Sequence, residues 1–270
     1  MNASRISPQS LASHQLFSSS LQRQVRLDFY SNAEIHQGAN LSLILFNDGQ
    51  DLVTMRFSDL LKQAQEQHAL RPLLCVGIHC GEDRKNEYGL IQATDYLGRG
   101  TKAKDYSTFI RKELLATLES RFAGIHFSEK TMAGFSLGGL SAFDLVWNHP
   151  ELFSRAGVFS GSFWWRSIDQ QHPSYNNQLH RLVHLQIRKD GFREGLKFFF
   201  QCGELDESAD RNQNGVIDSI DDTLDIMREL LAKGYLEGKD FRYLQLLDGR
   251  HDVATWARSL PHFLHWGWSA

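Results

Sequence analysis

Apolar positions along this chain repeat with two different periods. In 23–30, Val25, Leu27 and Phe29 alternate with polar neighbours, the two-residue period of a strand with one buried face. Short continuous apolar runs follow at 41–47, 73–79, 130–135, 155–160, 196–202 and 241–247. Each predicts a strand covered on both faces, as a parallel sheet requires. Between these runs the period lengthens. Tyr106, Ile110, Leu114, Leu118 and Phe122 stand four apart across 105–122, and Ile220, Leu224, Met227 and Leu231 share one face of 219–233. Gly234 follows as the expected C-cap. Residues 253–266 are apolar and Trp-rich with Pro261 inside, which predicts a kink or two short helices. Strands alternating with helices predict an α/β fold with a mostly parallel central sheet flanked by helices. With no repeat, linker or break in composition, the chain reads as a polar, Ser-rich lead-in over 1–20 and one domain over 21–270. The irregular stretch 161–180 reads as an insertion over the sheet edge.

Composition narrows the function classes. Hydrophobic residues make up 41% and charged residues 23% of the 270, and the 18 Phe and 6 Trp can fill a large core, which excludes a disordered chain. A net charge of −3 without a basic tract predicts no nucleic-acid partner. No run approaches the ~20 apolar residues of a spanning helix, and no apolar signal segment opens the chain, so no membrane association and a cytoplasmic location are expected. Cys75, Cys80 and Cys202 are too few and too odd in number for a disulfide framework, and Cys75 and Cys202 sit in apolar runs as buried thiols. Nothing in the sequence sets an oligomeric state.

Chemistry concentrates at Gly134-Phe135-Ser136-Leu137-Gly138, a Gly-x-Ser-x-Gly pattern between a strand run and a helical run. That context predicts a nucleophile elbow: a strained turn exposes the Ser136 hydroxyl at the sheet end, and the glycines let strand and helix approach. The Leu137 N–H, at the helix start, is aimed where an oxyanion would form. A second donor is expected from the loop after an early strand, here the N–H of Gln50 in Asn47-Asp48-Gly49-Gln50. The acid and base of such a site follow the nucleophile in the order acid, then His. His251 lies just past the last strand, where open α/β sheets build their sites. Asp206, after the preceding strand, is the chosen acid, with Glu204 and Glu207 as competitors.

Taken together, LSLILFNDGQ, RKNEYG, DYLGRGTKAKDYSTFIRKELL, AGFSLGGLSAF, FSGSFWW and GRHDVATW resemble the esterase D / enterochelin-esterase-like esterases of the α/β-hydrolase fold, over about residues 20–268. The resemblance implies a serine carboxylic-ester hydrolase with Ser136, Asp206 and His251 as its triad, Gln50 and Leu137 as its oxyanion hole, and no cofactor for catalysis. It implies a small-molecule ester as substrate, of the siderophore or feruloyl kind. An acyltransferase on the same triad, or a non-catalytic calcium-stabilised binding protein on a hydrolase scaffold, are the alternatives.

Three further signals stand apart. Asp210, Asn212, Asn214, Gly215, Asp218 and Asp221 follow the spacing of a calcium loop, with the Val216 carbonyl as the backbone ligand, so a structural Ca2+ is expected there. Trp164 and Trp165 are candidates for an aromatic pocket wall. Arg84, with Lys85, Arg99, Lys102 and Lys104 nearby in sequence, is a candidate to receive an anionic substrate; the competing reading pairs Arg84 with Glu87.

Overall fold

A computed structural model describes residues 12–269. The expected runs form β2 (Arg23–Ser31), β3 (Asn40–Asn47), β4 (Leu73–Ile78), β5 (His126–Phe135), β6 (Arg155–Phe159), β7 (Lys197–Leu205) and β8 (Phe241–Arg250). With β1 (Ala12–Ser18) they make one 8-stranded sheet in the order β1-β2-β4-β3-β5-β6-β7-β8. The pairs β1/β2 and β2/β4 are antiparallel and all others parallel. This is the α/β fold with a mostly parallel sheet that the alternation predicted, in the α/β-hydrolase form that the resemblance implied.

Period two along each strand divides the core into two layers. Leu43, Leu45, Met132, Val158, Phe198 and Phe200 face one side of the sheet. Ile44, Phe46, Ala133, Phe135, Phe159 and Phe199 face the other. Against the second face pack α1 (Gly49–Thr54) and α2 (Phe57–His68), with Leu52, Phe57 and Leu61 buried. After the short α3 (Arg84–Glu87), the predicted helix 105–122 runs as α4 (Ala103–Thr108), a π-helical turn Phe109–Leu114 and α5 (Leu115–Arg121). These pack on the first face, as do α6 (Leu137–Asn148), α8 (Leu182–Lys189) beyond the short α7 (Asn177–His180), and α9 (Asp218–Lys233). The C-cap of α9 is Gly234 at φ 103°, as its position predicted. Finally α10 (Val253–Trp268) covers the second face through Leu260, Phe263, Leu264 and Trp268.

Two expectations are corrected. Part of the lead-in, 1–11, lies outside the described residues, but 12–18 form β1. A polar strand suffices there because an edge strand needs only one partner, and Ser20 anchors the turn that follows through the Glu113 carboxylate at 2.9 and 2.7 Å. Pro261 does not divide the segment into two short helices: α10 is one helix across it. The missing proline N–H removes one hydrogen bond, and the fully buried Leu260, Phe263 and Leu264 around it hold the helix to the sheet. Among the described residues no helix is long and apolar enough to cross a membrane.

Candidate active site

Ser136 caps α6 at φ 55°, ψ −120°, a region that L-residues rarely adopt. Its neighbours enforce that turn. A Cβ on Gly134 would collide with the Gly138 carbonyl, and one on Gly138 would lie 2.6 Å from Asp48 Oδ2. The Ser136 N–H donates to the Phe159 carbonyl at 2.9 Å, which leaves its side chain half-exposed beyond the carboxyl ends of β5 and β6. There the Ser136 Oγ lies 3.4 Å from Ser162 Oγ. Strain of this kind, held by its surroundings, marks functional positions.

Beside the elbow, β3 ends at Asn47, and Asp48, itself left-handed at φ 60°, leads into α1. Gln50 and Leu137 both open helices, so their N–H groups have no acceptor within the helix. The Gln50 side chain is braced: its Oε1 accepts from Cys80 N at 3.2 Å and its Nε2 donates to Asp48 Oδ1 at 3.3 Å. Gly49 abuts Gly77 of β4 so closely that a Cβ would strike its backbone. A polar network then fastens this loop to the elbow. Asn47 Nδ2 donates to the Gly138 carbonyl at 2.7 Å, and Tyr106 OH donates to Asn47 Oδ1 at 2.6 Å. The Asp48 N–H donates to Tyr88 OH at 3.1 Å.

Arg84 completes the network. Its Nε and Nη2 grip the buried Asp48 carboxylate at 2.7 and 2.6 Å, and Nη2 reaches the Phe135 carbonyl at 3.3 Å. Burial works against the guanidinium charge, but the Asp48 carboxylate outweighs it and raises the Arg84 pKa. The expected Arg84–Glu87 pair is therefore corrected: Glu87 binds Arg23 instead, at 2.7 Å through each carboxylate oxygen. The neighbouring cations are also engaged, Arg99 by Asp95 and Lys102 by Asp83. Asn47, Asp48 and Tyr106 were not singled out as site residues in the sequence; the Asn47-Asp48-Gly49 turn was visible, but its partners are distant in the chain.

Asp206 and His251 lie past β7 and β8. Asp206 Oδ2 accepts from Gly203 N at 3.0 Å, whereas the buried Oδ1 has no hydrogen-bond partner. Burial raises the Asp206 pKa, opposed by the Gly203 N–H, the Ser160 hydroxyl and the charge of His251. His251 is exposed, while Trp256 meets its ring edge-to-face at 5.3 Å. Loss of water on the packed side lowers its pKa; Asp206 pulls the other way, and Arg84 reinforces the fall. Asp206 is thus the acid whose charge His251 senses most. Glu204 is exposed and binds Gln245 at 2.8 Å, and Glu207 is exposed on the same turn.

Trp165 is corrected from pocket wall to core. It is fully buried, donates Nε1–H to the Ala93 carbonyl at 3.1 Å, and fills the space left by Gly89 and Gly100. Trp164 stays partly open, with the Arg99 guanidinium 4.6 Å from its ring centroid.

In the 210–221 loop, Asp210 accepts from Asn214 N at 3.2 Å and Gly215 N at 2.9 Å. Asn212 and Asn214 both turn their amides to Asp221 Oδ2, at 2.7 and 2.9 Å. Asp218 points elsewhere, to Arg211 at 3.0 Å. Among the described residues no three His, Cys, Asp or Glu side chains converge as a metal-holding group, so any cation here depends on the Asn and backbone oxygens.

A mostly parallel sheet with a left-handed serine between strand and helix defines an α/β-hydrolase scaffold. The chain belongs to the family described as "Putative esterase", which it matches over residues 18–266. It is 28% identical over 132 residues to the uncharacterized protein YbbA of Bacillus subtilis (strain 168), covering 46% of this chain and 51% of that one. Its fold is similar to the enterochelin esterase of Shigella flexneri, with a TM-score of 0.71 and 20% identity, over 97% of this chain and 59% of the other. Siderophore hydrolase EstA from Aspergillus nidulans is similar too, with a TM-score of 0.71 and 17% identity, over 94% and 92% of the two chains. The chain therefore spans about half the length of YbbA and about three-fifths of the Shigella enzyme.

Proposed function

We propose that this protein is a serine carboxylic-ester hydrolase working through an acyl-enzyme. His251 takes the proton of Ser136 as Oγ attacks the ester carbonyl, and the carbonyl π electrons move onto oxygen. The N–H groups of Gln50 and Leu137 stabilise that oxyanion. Collapse expels the alcohol, which leaves with the proton from His251. Water, activated by the same imidazole, then releases the acid. Asp206 orients His251 and stabilises its imidazolium. The observation that carries this reading is the left-handed Ser136, half-exposed at the turn from β5 into α6, with Asp206 and His251 directly past the ends of β7 and β8. The lowered His251 pKa keeps the imidazole a free base at neutral pH, so the acid limb of kcat/KM is expected below the ordinary imidazole value.

Two of the similar structures carry names of siderophore esterases, which favours a siderophore-type ester as the first substrate to test, with feruloyl esters next. The experiment is labelling by a fluorophosphonate probe beside hydrolysis of p-nitrophenyl, feruloyl and catecholate-siderophore esters. Wild type is expected to label and turn over, and Ser136→Ala to lose both by at least about a thousandfold. Folded wild-type protein that resists the probe overturns the proposal. Product that accumulates as a new ester when alcohols are added, at the expense of the free acid, identifies an acyltransferase instead.

For the 210–221 loop the proposal is a calcium ion held by Asp210, Asn212, Asn214, Asp221 and the Val216 carbonyl. Asp218, bound by Arg211, would have to leave its partner to join them. The ion would supply rigidity, not chemistry.

A further inference from the structure

Ser160 follows β6 at φ 45°, a left-handed conformation in a residue that is neither Gly, Asn nor Asp. Its backbone N–H donates to the Gln201 carbonyl of β7 at 2.7 Å, and the residue is 1% exposed. The twist turns the side chain toward Trp256, whose Nε1–H donates to Ser160 Oγ at 3.0 Å. An indole nitrogen can only donate. Ser160 Oγ must therefore accept, and its own proton is free for another acceptor. The Ser160 hydroxyl is among the groups that oppose the rise of the Asp206 pKa, and Asp206 Oδ1 is a buried carboxylate oxygen without a hydrogen-bond partner. Trp256 is itself fixed, stacked on Phe135 at 5.2 Å between ring centroids, and it seats the His251 ring edge-to-face.

We propose that Trp256 and Ser160 are positioning residues for the acid–base pair: the indole N–H aligns the Ser160 hydroxyl, which donates to Asp206 Oδ1 and holds that carboxylate ionised and aimed at His251. The relay rests on the reading of this site as a serine esterase. Asp206 Oδ2 already accepts from Gly203 N. Oδ1 has lone pairs for both Ser160 and the imidazole N–H, so the two donors do not compete.

Other charges face the pair. Asp206 meets Asp252 beyond β8, Glu207 on its own turn, Cys202 on β7 and Tyr243 on β8. His251 meets Asp252 and Arg84. None of these is altered by substituting Ser160 or Trp256. Loss of the Ser160 hydroxyl removes a donor to the ionised acid. Protonation of the pair then becomes easier, and the acid limb moves toward neutral pH.

The test compares Ser160→Gly, which accepts the left-handed backbone, and Trp256→Phe, which keeps an aromatic ring over Phe135 but has no N–H. Fluorophosphonate labelling rates, and kcat and KM for a p-nitrophenyl ester, are measured against pH, with melting temperature as the check on folding. Ser160→Gly is expected to lose about tenfold in kcat with KM unchanged, and to move the acid limb up by about 0.5–1 pH unit. Trp256→Phe should shift the limb the same way by less. Ser160→Asn, which tolerates this backbone and restores a donor, should recover part of the limb position. Folded variants with the wild-type rate and pH profile overturn the relay while leaving the esterase reading intact. A folded wild type that never labels at Ser136 overturns both.

Discussion

Arg84 and Asp48 stand 36 residues apart in the chain yet meet through two short hydrogen bonds, with the carboxylate 1% exposed. Removing the cation alone would strand a buried negative charge. Arg84→Met is expected to cost about 3–5 kcal/mol by urea unfolding. It should also raise the acid limb of any surviving activity, because Arg84 depresses the His251 pKa. If stability and limb are both unchanged, the pair does not organise the site. Residues such as these explain what the sequence could disclose. The placement of Ser136, Asp206 and His251 just past strand ends was legible because each follows an apolar run. The partners of Arg84 were not legible, since sheet order and not sequence neighbourhood joins β3 to the 84–88 turn. Trp256 and Ser160 are 96 residues apart, and no periodicity links them.

At the scale of elements, the parallel strands were readable because burial on both faces makes them continuously apolar. β1 escaped notice because an edge strand with polar residues has no such signature. Helix α2 did carry one, Phe57, Leu61 and Ala64 on a single buried face, but so few apolar positions in a polar stretch give a faint signal. The π-helical turn has no marker in the sequence. The 210–221 loop follows Asp206 closely and runs into the first turn of α9, so an ion there would steady the turn that carries Asp206. Calcium is expected to raise the melting temperature by a few degrees, by stabilising only the folded state, with a chelator reversing the shift and Asp221→Ala abolishing it. Identical melting with and without calcium removes the ion from the account.

The whole molecule gathers charge in one place. Residues 204–225 are rich in Asp and Glu against the single Arg211, and the fold compensates by bringing in Arg166 from the 161–180 stretch and Arg181 just after it. Arg181 and Arg211 bind Asp222 Oδ1 at 3.1 and 2.8 Å, and Arg166 approaches Oδ2 at 3.8 Å. His184 closes the same cluster. It is fully buried, its Nε2 meets the Asp222 carbonyl at 2.9 Å, and its Nδ1 has no partner. Burial and the Arg181 charge lower its pKa to about 3. Because that folded-state value lies below the unfolded one, His184 stabilises fully above about pH 6.5. That contribution is lost as pH falls toward the folded pKa, by about 2–3 kcal/mol near pH 4.5. His184→Gln should flatten the stability profile between about pH 6.5 and 4 in urea titrations. A variant that retains the wild-type slope would assign the acid sensitivity elsewhere.

One indole ties two regions of the surface into a single heritable unit. Trp165, carried by the 161–180 stretch, fills the spaces that Gly89 and Gly100 leave in the loops around α3 and donates to the Ala93 carbonyl. Transplanting either loop alone from a relative would leave a vacant slot or a steric collision. Diversification of this surface, in nature or in a directed-evolution library, is therefore constrained to exchange both loops together as one cassette.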